Sequence, residues 1–190
     1  MTSKEFFFKY RSFTPVPLIL IALIFAKITI YSFIAGFLIA FSGEVIRLWS
    51  VRYAGKATRT TGEVGADVLV TTGPYGHTRN PLYLGNFLLS FGMLVIAWPL
   101  MPWFMIVFLA LFIVQYGSII SLEEDFLKEK FGDIYAEYEQ NVPRFLPRLS
   151  NWGKGDREPT PLKRAMRTER NTLQSFSAVT ILMLLRWIIF

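Results

Sequence analysis

Residues 80–122 read NPLYLGNFLLSFGMLVIAWPLMPWFMIVFLALFIVQYGSIISL, a run without Asp, Glu, Lys, Arg or His. A helix crosses the roughly 30 Å hydrocarbon core of a bilayer with about 20 apolar residues. The run is therefore long enough for two crossings and has to turn once. Trp98, Pro99, Pro102 and Trp103 mark the turn. Proline stops a helix, and tryptophan favours the headgroup layer. Upstream, residues 12–43 carry a single charge, Lys27, which predicts another hairpin with its tip at residues 27–32. The expected spans cover residues 15–26, 31–53, 81–98 and 103–122. The first is short and tilts or stops partway. The fold class expected is an all-α integral membrane protein with four core transmembrane helices in two hairpins.

Composition excludes the alternatives. The chain has 190 residues, 53% hydrophobic and 18% charged, with a mean hydropathy of +0.39. Soluble domains run near 25% charged, so a water-soluble protein, a disordered chain and a coiled coil are all disfavoured. The absence of cysteine removes disulfides, Cys-ligated metals and thiol nucleophiles. A single histidine, His77, makes a His-based metal site or a Ser-His-Asp triad a poor reading, and no metal is expected.

The net charge of +6 fits a positive-inside membrane protein better than a nucleic-acid partner. Lys4, Lys9 and Arg11 precede the first span, and Arg52, Lys56, Arg59 and Arg79 lie between the second and third, whereas the hairpin tips hold only Lys27. This places the N-terminus, the middle loop and the segment after span four in the cytoplasm. There is no typical secretory signal. The compact size points to a bacterial inner (plasma) membrane.

Beyond residue 122 the chain turns polar. Phe126, Leu127 and Phe131 recur at helical spacing, as do Tyr135 and Tyr138 past Gly132. This predicts an amphipathic helix, then a second short one, ended by Pro143 and Pro147. Residues 1–150 form the expected core domain. Residues 151–171 read as a polar linker and 172–190 as an apolar helix, either a fifth span or one lying in the interface.

Three places carry chemistry. In the middle loop, Gly73, Pro74 and Gly76 are turn residues, and Asn80-Pro81 opens the third span. Backbone N–H groups and Arg79 there suit an anionic group, or Arg79 binds lipid phosphate as an ordinary interfacial residue. Glu123 and Glu124 sit at the end of a long apolar helix, where the helix dipole disfavours negative charge. They hold hydroxyls or a cationic ligand, or are simply a solvated helix end. Glu44 and Arg47, one turn apart on span two, can pair with each other and are functional candidates because they are ionisable groups within a span. His77 is a further candidate base.

Together these pieces resemble the isoprenylcysteine carboxyl methyltransferase family, which groups with phospholipid methyltransferases. The resemblance runs through Gly73-Pro74-Tyr75, Arg79-Asn80-Pro81-Leu82-Tyr83-Leu84-Gly85, Glu123-Glu124, Phe131-Gly132-Asp133-Ile134-Tyr135 and Val142-Pro143-Arg144-Phe145. A looser part is Gly43-Glu44-Val45-Ile46-Arg47 with Ala54-Gly55. It covers about residues 41–147.

The resemblance implies an S-adenosylmethionine-dependent membrane methyltransferase without a Rossmann domain. Its cofactor would lie in a cytoplasm-facing pocket capped by the segment after the last core helix. By resemblance, Asp67, Val68, Leu69, Val70, Tyr75, Asn80, Pro81, Leu82, Tyr83 and Glu123 contact the cofactor. Arg79, Glu124 and Glu44 are the catalytic candidates. Many members have histidine at the position of Asn80. Prenylcysteine-methylating members carry an arginine where this chain has Ile119, so the departure turns the acceptor toward an amine headgroup or another lipophilic nucleophile. The methyl acceptor class is then a lipid amine or a lipophilic carboxylate, drawn from the bilayer. Two alternatives stand beside this reading: a membrane reductase using NADPH, and a non-enzymatic membrane protein with a decayed site.

Overall fold

The computed structural model describes residues 3–11, 13–55, 67–154 and 158–189. Lys56 and Arg59 of the orientation argument, and Phe190, lie outside the described residues. Among those described, all regular structure is helical. The order is α1 (Ser3–Tyr10), α2 (Val16–Ile24), α3 (Ile30–Ala54), a 3-10 turn (Gly73–Gly76), α4 (Pro81–Ala97), α5 (Trp103–Asn141), α6 (Leu162–Thr168) and α7 (Arg170–Ile189). The protein is an all-α integral membrane protein. Helices α3, α5 and α7 are long and apolar enough to cross a bilayer. With 17 residues, α4 rises about 25 Å. With 9 residues, α2 rises only about 14 Å, roughly half the hydrocarbon thickness.

The hairpin tips fall where proline and capping chemistry put them. Thr29 caps α3 in a reciprocal box with Ser32. The Ser32 hydroxyl also donates to the Ile96 carbonyl at 3.2 Å, and the Lys27 N–H donates to the Ala97 carbonyl at 2.7 Å, so the two tips are tied together. Trp98 ends α4 in the left-handed region, and Trp103 opens α5. Both tryptophans are exposed, as an interfacial position requires.

Small residues decide how α3 and α4 pack. A Cβ added to Gly92 would lie 2.4 Å from the Ala40 nitrogen and 2.5 Å from the Gly36 oxygen; one on Gly43 would lie 2.6 Å from the Leu89 nitrogen. The helices therefore touch backbone to backbone, the close approach that small residues permit between membrane helices. The core beside this seam joins Ala40, Met93, Leu94, Ile96, Phe108 and Met183.

At the other end, α5 kinks at Gly132 (φ 51°, ψ −125°), a conformation that favours glycine. The segment beyond the kink brings Tyr135, Tyr138 and Val142 onto Leu69 and Trp152 in a second apolar cluster.

Two features differ from the sequence reading. The stretch expected to be a linker contains α6 and is pinned to α3: the Thr160 N–H donates to the Arg52 carbonyl at 2.7 Å, and Arg52 Nε donates to the Thr160 carbonyl at 3.1 Å. The N-terminal residues form α1, which packs on α5. Neither segment is apolar enough to stand out by hydropathy.

Candidate active site

The loop from residue 67 to α4 is held by the chain that follows α5. The Trp152 N–H donates to the Gly76 carbonyl (3.0 Å), the Arg148 N–H to the His77 carbonyl (2.9 Å) and the Arg79 N–H to the Pro143 carbonyl (2.9 Å). The Tyr138 hydroxyl donates to the Tyr75 carbonyl at 2.8 Å. Asp67 and Val68 at the loop's start are exposed, while Leu69 and Val70 are half-buried.

Glu124 is the centre of this clamp. It is 2% exposed. Its Oε1 accepts from Arg79 Nε at 3.0 Å and from Asn80 Nδ2 at 3.3 Å, and its Oε2 accepts from Arg144 Nε at 2.9 Å and from the terminal guanidinium nitrogen. The Glu124 carboxylate pushes the Arg144 guanidinium above its usual range. Arg79 also donates to the carbonyls of Glu139 (2.9 Å) and Val142 (3.0 Å). Its Nη2 also reaches Glu139 Oε1 at 3.5 Å, so the side chain is held by groups of the protein itself. Asn80 is likewise engaged, with Glu124 and with the Arg144 carbonyl at 3.0 Å. An asparagine amide can make both bonds as donors. Glu124, buried in this way, is not a solvated helix end.

Glu123, the adjacent carboxylate, faces elsewhere. Its Oε1 accepts from the Tyr83 hydroxyl at 2.6 Å. The Tyr83 ring lies 5.2 Å from that of Tyr116, and the Tyr116 hydroxyl accepts from Asn86 Nδ2 at 3.3 Å. Leu82 is half-buried and Pro81 buried at the helix start. A hydrogen bond to a charged group contributes about 1.5–3 kcal/mol, so Tyr83→Phe is expected to lower the melting temperature by roughly 3–12 °C. Tryptophan-fluorescence melting in detergent checks this; an unchanged midpoint contradicts the pairing.

Asn86 leads to a buried ionic group on α3. Arg47 donates to Asn86 Oδ1, to Glu169 Oε2 at 2.5 Å and to Thr172 Oγ1 at 3.2 Å. The expected Glu44–Arg47 contact is present at 3.7 Å, but the terminal guanidinium nitrogens go to the other partners. Glu44 is 3% exposed, and neither of its oxygens has a hydrogen-bond partner. Sequence reasoning missed Glu169 and Thr172. Glu169 lies in a polar stretch between basic residues, and no local pattern distinguishes it.

Below these groups, inside the span region, lies a cavity of about 340 Å³. Its walls come from α2, α4, α5 and α7, with Leu18, Leu94, Phe108 and Val179 among the apolar residues and Ser90, Tyr116 and Thr172 among the polar ones. Ile119 is completely buried. His77 lies in the clamped loop with Nδ1 2.9 Å from the Arg148 carbonyl. It packs on Trp49. Among the described residues no group of acidic residues and histidine could hold a metal ion.

The chain is 36% identical over 105 residues to the cobalt-zinc-cadmium resistance protein CzcN of Cupriavidus metallidurans, which covers 55% of this chain and 44% of that protein. It is 33% identical over 105 residues, with the same coverage, to the nickel-cobalt-cadmium resistance protein NccN of Alcaligenes xylosoxydans xylosoxydans. The chain thus spans less than half the length of these curated relatives. No solved structure matches it. The family profile described as phospholipid methyltransferase matches residues 31–134, which takes in the α3–α4 seam, the clamped loop and both glutamates. The chain belongs to the phospholipid methyltransferase family.

Proposed function

We propose that the protein transfers a methyl group from S-adenosylmethionine to a lipophilic acceptor, a lipid amine or lipophilic carboxylate, at the cytoplasmic face of a bacterial plasma membrane. The observation that carries this reading is the Tyr83–Tyr116 contact at 5.2 Å. It joins Glu123 and the clamped loop on one side to the membrane cavity, which Tyr116 lines, on the other. A methyl donor arriving from water and an acceptor arriving from lipid need such a junction.

The residues fit the cofactor on an observation of their own. Glu123 uses one carboxylate oxygen for Tyr83, and the hydroxyls of Thr72 and Tyr135 are buried without a partner, so groups suited to an amine, a cationic centre and ribose hydroxyls are present. Asp67, Val68, Leu69, Val70, Tyr75, Asn80, Pro81, Leu82, Tyr83 and Glu123 would hold it. The cofactor supplies a methyl group on a positively charged sulfur, open to in-line displacement.

This chain's residues then position the partners and exclude water, from which most of the rate derives. Arg79, Asn80 and Glu124 act as positioning residues that close the loop. Glu44, whose buried oxygens lack donors, is our candidate to accept a proton from an amine acceptor, beside Glu124 and His77. The core domain of residues 1–150 carries the cofactor side. The basic residues outside the hairpin tips support a cytoplasmic position for that side.

Calorimetric titration of S-adenosylmethionine and S-adenosylhomocysteine into detergent-purified protein tests the reading. Saturable binding of both is expected. In Glu123→Gln, affinity is expected to fall at least about tenfold, 1.4 kcal/mol or more, with the melting temperature staying within a few degrees of the parent. No binding by folded protein, or binding of NADPH instead, overturns it.

A further inference from the structure

Helix α7 lies outside the family-matched region, which ends at residue 134. It is nonetheless a wall of the membrane cavity. Thr172, Ser175, Phe176, Val179 and Met183 all line it. They are spaced 3, 1, 3 and 4 residues apart and so share one helix face. The opposite face, with Ile181, Leu185 and Ile188, is exposed and apolar, as a lipid-facing surface would be.

Two kinds of contact seat α7. At one end Glu169 and Thr172 bond Arg47 of α3. Along its length, Phe176 stacks on Phe37 at 6.2 Å and Trp187 on Phe33 at 6.0 Å. The polar contacts sit at the end of the cavity where Tyr116 and Thr172 meet the ionic group, and Met183 lines the cavity with Ala22 and Phe104 away from that end. From Thr172 to Met183 the helix rises about 16 Å.

A space that long with a volume of about 340 Å³ is narrow. It lies at the small end of ligand pockets, which run from roughly 300 to 1,000 Å³. That volume is the size of a single hydrocarbon chain rather than of a two-chain lipid body. We infer that α7 is the specificity element of this protein: its inner face receives a single hydrocarbon chain, Met183 sets the chain length admitted, and the Arg47–Glu169 bond fixes the wall in register. This deepens the acceptor side of the proposed function but is read by chain binding, without cofactor, so either idea can fail alone.

The probe is a series of single-chain lysophospholipids of eight to eighteen carbons, titrated into the full chain in short-chain detergent. The parent is expected to show one preferred length. Met183→Ala removes three heavy atoms from the wall farthest from Thr172, so the preferred length is expected to grow by about two to three carbons. Val179→Phe narrows the middle and is expected to weaken the best chain about tenfold or more. Leu185→Ala, on the outer face, leaves the length preference unchanged. Equal length profiles in the parent, Met183→Ala and Val179→Phe overturn the inference.

A second measurement needs no substitution. A lysophospholipid with a diazirine near its chain terminus is photolysed on the parent protein. Adducts on Val179 or Met183 support the inference. Adducts confined to Ile181, Leu185 or Ile188 show only annular lipid and overturn it.

Discussion

Glu124→Ala is expected to unseat the whole segment that covers the middle loop. The substitution removes the acceptor for Arg79, Asn80 and Arg144 at once. Arg79 is the decisive partner, because its side chain is 8% exposed and its buried charge would keep only the longer, 3.5 Å pair with the partly exposed Glu139. Breaking a buried pair from one side costs about 3–5 kcal/mol, a large fraction of a typical stability of about 5–15 kcal/mol. The expected readout is a melting temperature lower by roughly 6–20 °C and early proteolysis between residues 142 and 154. Arg144→Ala provides the contrast. Its side chain is half exposed, and exposed pairs contribute about 1 kcal/mol or less, so a drop of a few degrees at most is expected. If Glu124→Ala melts with the parent, Glu124 does not organise the clamp.

Gly92→Val should fail earlier, at assembly of α3 on α4. Its Cβ would meet the Ala40 nitrogen at 2.4 Å and the Gly36 oxygen at 2.5 Å. Both are backbone atoms that cannot rotate away, so the helices have to separate along their seam. Overpacking a core costs about 1–3 kcal/mol where side chains can adjust, and here they cannot. The expected result is loss of the monodisperse peak in size-exclusion chromatography. Gly117→Ala is the control. On α5 nothing lies within 4 Å of its added Cβ, and alanine favours a helix over glycine by about 1 kcal/mol, so unchanged or slightly higher stability is expected. Similar behaviour of the two variants would show that the seam is looser than backbone contact.

The sequence alone determined the membrane fold and its turns. Charge-free runs broken at Trp98–Trp103 and near Lys27 leave few other arrangements, because backbone polar groups in hydrocarbon must be satisfied within helices. Tertiary structure decided the roles of individual polar residues. Glu123 and Glu124 are neighbours in sequence, so composition treats them alike. A helix turns by about 100° per residue, however, and that rotation sends one to Tyr83 and the other into the Arg79, Asn80 and Arg144 clamp. Arg79, a free cation by sequence, is held because residues 142–143 return across the loop. Glu169 lies more than a hundred residues from Arg47, and that separation hides the pair from any local pattern. Only the fold brings α7 back against α3, where a buried guanidinium requires an acceptor and Glu169 supplies it.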